Sequence, residues 1–595
     1  MVEPRRMTMT RTLLLRFAAV AAFAVSGSGY AQAQESALDF MRNEYQRQHN
    51  ARQTQPANPQ PFGSMYARGD WNSPGYDRRG WSGYAEWSSP GENPERERPR
   101  GMPQAHVDNP DFLNYTPDRL QTKSFAKACE FNTDAAPDAA PAQDFAQACA
   151  ATPAVSVAVQ PEVGDTLVSY YSAHPHFIWI QDGGIAPRAL AAIAELRAAD
   201  KYGLDPADYR VDVPQLPDDR AARAQASLRF EFALSAKALN YVLDATRGRV
   251  DPNRISGYHD LPRKSVDLNA ALDELASSSD AASALAAHNP DNPQFKALVA
   301  ELARLRAEAP QDPAPAPAPK SKHKHAAAKQ PSESESANNK IQKIELALEE
   351  LRWLPSNLSS TYVLLNQPAF EVSFVEDGKP KLSMRAVVGK PTAQTYFFVD
   401  HIKDIEYNPY WNVPRSIVIN EMLPRLYRNP GWLNHRGYEV ANERGRQIAS
   451  NSVNWAAVAS DRTAVEVRQP PGDRNALGRV KIEFPNKHAI YMHDTPEKSL
   501  FKHEMRALSH GCVRLEHPRE MAAALLGTSV DYIDKRIAAR NTEKEFVKRD
   551  IPVYLVYFTA WPDAEGTVHY YDDVYDRDAH LKTALTETEV ARTAE

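Results

Sequence analysis

The stretch "RALSHGCVRLEHP", residues 506–518, holds one of only three cysteines in the 595-residue chain. Two histidines and two arginines share it with Cys512. A free thiol has a pKa of about 8.5 and is only a few per cent thiolate at pH 7, so a nucleophilic role needs a base or a positive neighbour. Five histidines lie nearby: His488, His493, His503, His510 and His517. On an extended chain His510 shares a face with Cys512, two residues away, at a separation of about 6–7 Å. That is long for direct proton transfer. His517 opens a helix pointing away, and His503 lies in the loop-like "SLFKHEMRA". His493 ends the strand pattern "HAIYMHD", where period 2 puts Tyr491 and His493 on one face and Met492 on the other. It is the better candidate base for a nucleophile–base pair, with a satisfied structural histidine as the alternative. Gly511 lacks a Cβ and permits a turn that aims successive amides at one point. The amides of His510 through Cys512 are therefore candidates for an oxyanion hole, typically worth about 3–4 kcal/mol per donor. Arg514 shares the face of Cys512 and is a candidate substrate or loop anchor.

These residues need a scaffold, and the patterning supplies one. "IQKIELALEELRWLP" is a helix stopped by Pro355, and "TYVLLNQPAFEVSFVEDGKPKLSMRAVVGK" gives strands around a turn at Asp377-Gly378. Alternation weakens from Val413 to Pro471, which marks a lid-like insertion at about 413–471. "RVKIEFPNKHAIYMHDTP" predicts a hairpin around Pro485-Asn486-Lys487. "PREMAAALLG" predicts a helix with Pro518 in its first turn and Gly527 as its stop. "IPVYLVYFTAWPDAEGTVHYYDD" closes the domain with two more strands. Upstream, "PRALAAIAELRAADKYGL" predicts a helix with Leu190, Ile193 and Leu196 on one face, Pro187 in its first turn and Gly203 as its stop. A long helix through Leu228, Phe232, Leu239 and Leu243 ends at Gly248, and "PQFKALVAELARLRAE" is a third. The predicted fold is α+β: a mostly-β domain at 341–585, preceded by a helical domain at 161–307. A Pro-Ala and Ser/Glu-rich linker at 308–340 separates them, and 586–595 forms a tail.

The N-terminus bears on the thiol. Arg5, Arg6 and Arg11 precede a short apolar run and an Ala31-Gln32-Ala33 site, the pattern of a cleaved signal peptide over 1–33. Segment 34–160 mixes Gly, Pro, Ser, Arg and aromatics without period and predicts disorder. Its Trp, Tyr and Arg residues suit stacking on sugars, although a solvated tether is the simpler reading. In an oxidising compartment Cys129 and Cys149 are candidates for a disulfide, which leaves Cys512 as the odd thiol. The net charge of −6 gives no support to a nucleic-acid partner. No later window has 18 uninterrupted apolar residues, so no membrane span is expected after cleavage. His323 and His325 in the linker are too few for a metal site, and neither metal nor cofactor is expected.

"YMHDTP" followed by "LSHGCVRLEHP" resembles the active-site signature of the L,D-transpeptidases, the YkuD-type catalytic domain. The blocks "LEELRWLP", "VVGK", "NPYWNVPRSI", "RQPPGDRNALGRVKIEFPN" and "IPVYLVYFTAW" resemble the large, multi-domain YcbB-like branch, and the region around "KYGLDPADY" resembles that branch's scaffold domain. The resemblance implies a nucleophile at Cys512, a general base at His493 and a site-lining tyrosine at Tyr491. It implies oxyanion and substrate contacts at Ser509, His510, Gly511 and Arg514, and a substrate-capping lid at 413–471. The implied reaction takes the acyl group of a peptidoglycan tetrapeptide stem, releases D-alanine, and passes the acyl group to a diaminopimelate amine in a 3→3 cross-link. Peptidoglycan stem peptides as partners, carbapenem-type inhibitors and a periplasmic location follow from the same resemblance. Two features depart from it. The linker stands where the branch usually carries a small peptidoglycan-binding domain, and Tyr396 stands where members commonly show a proline. Rival expectations are attachment of a stem to an outer-membrane protein by the same chemistry, a cysteine peptidase acting on stems, and a catalytically dead wall-binding protein. In many such peptidases the cysteine precedes the histidine, whereas here His493 comes first.

Overall fold

The computed structural model describes residues 110–131, 140–152, 155–308 and 333–593. The expected signal peptide, most of segment 34–160 and most of the linker lie outside these residues. The part of 34–160 that is described is ordered, which corrects the expectation of disorder up to 160. Strand β1 (Gln121–Ser124) pairs antiparallel with β2 (Ser156–Val159), and Cys129 is disulfide-bonded to Cys149 between them. Phe125 stacks on Phe232 of the scaffold with ring centroids 4.4 Å apart, and Phe145 is fully buried beside them. Burial of these two rings orders a stretch with no regular period of its own.

The helical domain is built on α1 (Pro187–Arg197) and α2 (Arg220–Arg247). Pro187 starts α1 as expected, and Asp219 caps α2 by accepting from the Ala222 amide. Leu190 corrects the face assigned to α1. It is 49% exposed, while Ala189, Ala192, Ile193 and Leu196 are buried. Small alanines let that face pack close, and Leu190 falls outside it.

The second domain is a curled sheet of 12 strands. In chain order these include β3 (His259–Asp260), β4 (Tyr362–Asn366), β5 (Glu371–Glu376), β6 (Lys379–Gly389), β7 (Phe397–His401), β8 (Asp404–Tyr407), β9 (Val480–Glu483), β10 (Met492–His493), β11 (Ala507–Ser509), β12 (Val513–Leu515), β13 (Glu543–Phe546) and β14 (Pro552–Val556). The spatial order is β13-β8-β9-β10-β12-β6-β5-β4-β14-β7-β3, with β11 paired to β6. The β5–β6 turn is at Asp377-Gly378, both in the left-handed region with φ of 54° and 69°, as a two-residue hairpin requires. The edge strand β3 comes from the helical domain and pairs parallel with β7. The two domains therefore share one sheet.

Helix α3 (Glu333–Trp353) begins inside the expected linker and runs between the domains. Its Glu349 accepts from the Val250 amide at 2.9 Å, and its Arg352 donates to the Tyr202 carbonyl at 2.8 Å. Helix α4 (Pro518–Leu526) has the expected Pro518 start and a left-handed Gly527 stop. Helix α5 (Arg577–Thr593) corrects the expected boundary at 585, since it continues through the supposed tail to reach the scaffold. Arg592 is bound there by Asp208 at 2.8 Å and Asp244 at 2.5 Å. Arg249 also pairs with Asp208 at 2.8 Å, and the Tyr209 hydroxyl donates to Asp244. Burial pushes the Asp244 carboxyl up, but the charge and hydrogen bond of Arg592, the Tyr209 hydrogen bond and the Arg249 charge together outweigh it and hold the carboxyl below its usual range. Removing one partner of such a cluster leaves buried charge uncompensated. Arg592→Met is expected to lower stability by about 3 kcal/mol, read as a shifted urea midpoint at unchanged slope.

The expected insertion is a separate small unit. It has its own core, from Trp411 through Leu423, Leu433, Trp455 and Val467 to Leu477, and its own four-stranded sheet. Tyr491, two residues before the candidate base, packs against this core. Among the described residues no helix is long and apolar enough to cross a membrane, and no group of three or more potential metal ligands occurs.

Candidate active site

Strand β10 has only two residues, Met492 and His493, and is shorter than "HAIYMHD" suggests. It is enough to set the register. β10 pairs antiparallel with β9, placing His493 opposite Lys481, and parallel with β12, placing His493 opposite Arg514 and Met492 opposite Val513. The Val513 amide donates to the Tyr491 carbonyl at 3.0 Å. Cys512 therefore lies one rung before Val513, level with Tyr491. Paired residues on neighbouring strands face the same way. Tyr491, His493 and Cys512 thus meet on one face, with the Tyr491 and His493 rings 5.7 Å apart.

The tautomer of His493 follows from its neighbour. Nδ1 lies 2.5 Å from the Asp494 carbonyl oxygen, so Nδ1–H donates and Nε2 is left as a proton acceptor. Asp494 is itself fixed. Its Oδ2 accepts from the Arg479 amide at 2.9 Å, and its Oδ1 accepts from the Thr495 amide and Lys498 Nζ at 2.7 and 2.8 Å. Gly478 makes room for it, because a Cβ there would lie 2.3 Å from the Asp494 carboxyl group. Burial pushes His493 down to about 4, helped by Lys481 and Lys498 and opposed by Asp494. The imidazole is therefore neutral at pH 7, as a base must be.

Cys512 is partly exposed, yet the atoms crowded around its sulfur push the thiol up. Hydrogen bonds from Tyr491 and the charge of Lys481 work against that rise. Burial and the adjacent sulfur push the Tyr491 hydroxyl well above its ordinary value, which keeps it a donor. Lys481 Nζ sits 4.4 Å from the centre of the Tyr491 ring and is ion-paired with Glu406 and Glu483. Lys481 is thus a positive charge that favours a developing thiolate, and residue spacing missed it. The signal was present in "RVKIEF", where period 2 fixes its face, but its pairing with His493 is a non-local fact.

The nucleophile loop is locked from within. Ser509 Oγ donates to the Cys512 carbonyl at 2.6 Å and accepts from the Gly511 amide at 3.1 Å. Thr395 Oγ1 donates to the Gly511 carbonyl at 2.8 Å. Gly511 has φ of +113°, a region that excludes other residues. These bonds correct the expected oxyanion hole. The Gly511 amide is already occupied by Ser509, so the candidates narrow to the amides of His510 and Cys512. The His510 side chain turns instead to the lid, where its Nε2 lies 2.6 Å from Glu421 Oε1 and 3.1 Å from Lys390 Nζ. Burial raises the Glu421 carboxyl, but His510, Lys390 and Arg425 outweigh it and hold it below its usual range. Arg514 is buried, which pushes it down to about 10, and its Nη1 lies 3.8 Å from Glu497. That contact fits an anchor of the loop after β10 rather than a hand for substrate. His503 and His517 stay outside the cluster.

The arrangement can move a proton from a thiol to a neutral imidazole beside a hydroxyl donor and a lysine charge, next to an insertion hydrogen-bonded to His510. This is the equipment of acyl transfer through a thioester. Comparisons with known proteins point to a family. Residues 360–533 match the model of an L,D-transpeptidase catalytic domain, and residues 165–302 match a scaffold domain. A Haemophilus influenzae protein named "Putative L,D-transpeptidase" is 30% identical over 250 residues. These cover 42% of this chain, and the chain spans 50% of that protein's length. A solved structure, that of the Ldtfm-avibactam carbamoyl enzyme, aligns over 33% of this chain and 49% of that chain with 14% identity. Its TM-score of 0.17 is too low to carry an argument.

Proposed function

Since the chain belongs to the L,D-transpeptidase family, by its catalytic domain over 360–533 behind a scaffold domain over 165–302, we propose that it cross-links peptidoglycan through a thioester on Cys512. The Cys512 thiol attacks the carbonyl of the bond that carries the terminal D-alanine of a tetrapeptide stem, and its proton passes to His493 Nε2. The amides of His510 and Cys512 hold the oxyanion. Collapse of the tetrahedral intermediate breaks the amide bond, and His493 returns its proton to the departing D-alanine amine. The diaminopimelate amine of a second stem then attacks the thioester, gives up a proton to His493 and releases the thiol. The product is a 3→3 cross-link. Carbapenems would acylate the same sulfur.

One observation carries this reading: the parallel pairing of β10 with β12, which puts Cys512 level with Tyr491 and two residues, one same-face step, from the rung of His493. The N-terminal Arg5, Arg6 and Arg11 ahead of an apolar run support export to the periplasm, where both stems would be met. The test is to incubate the full chain with a disaccharide tetrapeptide and read intact mass and products. The expected result is an adduct on Cys512 lacking D-alanine, followed by dimers joined between two diaminopimelates. An adduct discharged only to water would point to the peptidase, and one discharged only to a protein amine would point to anchoring of an outer-membrane protein.

A further inference from the structure

The turn between β9 and β10 connects the thiol to the scaffold domain. Asn486 organises it. Its Nδ2 donates to the carbonyls of Phe484 and Ile490 at 2.8 and 2.7 Å, and its Oδ1 accepts from the amides of His488 and Ile490 at 3.1 Å each. Within this turn Ala489 has φ of +53°, a left-handed conformation that costs a residue with a Cβ about 1 kcal/mol or more and persists only where surroundings enforce it. The Ala489 carbonyl accepts from Cys512 Sγ at 3.6 Å.

What enforces it comes largely from the other domain. His488 Nε2 lies 2.8 Å from Asp260 Oδ2, and Lys487 Nζ lies 2.8 Å from Asp260 Oδ1. Asp260 is on β3, the strand the helical domain lends to the sheet. The His488 ring stacks on Tyr396 with centroids 3.7 Å apart and planes 22° apart. Tyr258, just before β3, packs edge-on against Tyr396 at 5.1 Å. The tyrosine that departs from the family pattern is therefore the floor under His488.

We propose that Asp260 and His488, with Tyr396 beneath the ring, are positioning residues: through them the scaffold domain holds the Ala489 carbonyl against the Cys512 thiol and fixes the direction and acidity of its S–H. The proposal rests on the reading of Cys512 as nucleophile. A carbonyl bonded to the S–H stabilises the neutral thiol and opposes its ionisation. The thiol is thereby kept protonated and pointed one way until a base takes the proton. The other titratable groups around the sulfur are Tyr491 and His493 on the neighbouring strand, Lys481 with Glu406 and Glu483 behind it, and Arg514 on its own strand. Those around His488 are Asp260 and Lys487.

The test uses the full chain. Cys512 is the one thiol outside the Cys129–Cys149 disulfide, so its alkylation by iodoacetamide as a function of pH reads its acidity directly. Asp260→Asn should lower the alkylation midpoint by about half a pH unit or more. It should also cut kcat for acylation by a tetrapeptide about tenfold with KM held within about twofold, as expected of misplaced reacting groups. Asp260→Glu should recover most of both. His488→Phe keeps the stack and loses the ion pair, so it should match Asp260→Asn, and the double variant should add nothing further. If Asp260→Asn fails to fold, His488→Phe alone decides. An unchanged alkylation midpoint in the folded variants overturns the proposal. A wild-type protein that alkylates but is never acylated by a tetrapeptide overturns the proposed function instead, and leaves the alkylation comparison valid.

Discussion

Cys512→Ala is expected to abolish the covalent adduct with a carbapenem and to cut transfer from a tetrapeptide stem by about 10⁵–10⁶-fold, the loss typical when a nucleophile acting within a catalytic unit is removed. The other two cysteines cannot substitute. They are joined to each other between β1 and β2, in the helical domain's core. The fold should be unharmed, since Cys512 belongs to none of the buried hydrophobic cores and alanine removes only the sulfur. Intact-mass spectrometry of wild type and variant with the same carbapenem decides the point. An equal adduct on the variant would remove Cys512 from its role.

His493→Ala is expected to slow acylation about 10²–10⁴-fold, and its pH profile is more telling than its rate. Burial holds His493 at about 4. The wild-type rate should therefore fall only as pH drops towards 4, with no inflection near the ordinary histidine value of 6.5. Burial also pushes the Cys512 thiol up, so the free thiolate is scarce across the neutral range. With His493 present, the base takes the proton during attack, and the rate should be flat between about pH 5 and 8. Without it, only pre-formed thiolate reacts, and the rate should climb about tenfold per pH unit until the thiol titrates. A flat profile in His493→Ala would transfer the role of base elsewhere. His510 is a poor heir, because its Nε2 is engaged by Glu421 of the lid.

What the sequence made legible was local. The Asp377-Gly378 turn and the Pro518 start and Gly527 stop of α4 follow from spacing and residue type. The lid was legible as a loss of alternation, and its own core spans Trp411 to Leu477, slightly wider than expected. What was not legible depends on partners distant in the chain. Phe125 and Phe145 carry no periodic signal and are ordered by Phe232, so the segment around them read as disorder. The hydrogen bonds of Ser509 to Gly511 and Cys512 exist only once the loop is bent, so its locking role could not be read from the sequence. Lys481 and Asp260 gain their meaning from the rungs opposite, which one strand cannot disclose.

The clasp of α5 on the scaffold bears on the order in which the chain can finish folding. Asp244 and Asp208 are synthesised 348 and 384 residues before the arginine that completes their charge balance. Until residue 592 reaches the compartment where the chain folds, the helical domain must either keep these carboxylates wet or hold them buried with Arg249 alone. Both alternatives leave it less stable than in the finished protein. Nascent chains cut short of Arg592 should therefore be easy prey for proteases, and the domain made first should be among the last to close. Vectorial synthesis, so often a head start for the leading domain, gives this one little advantage.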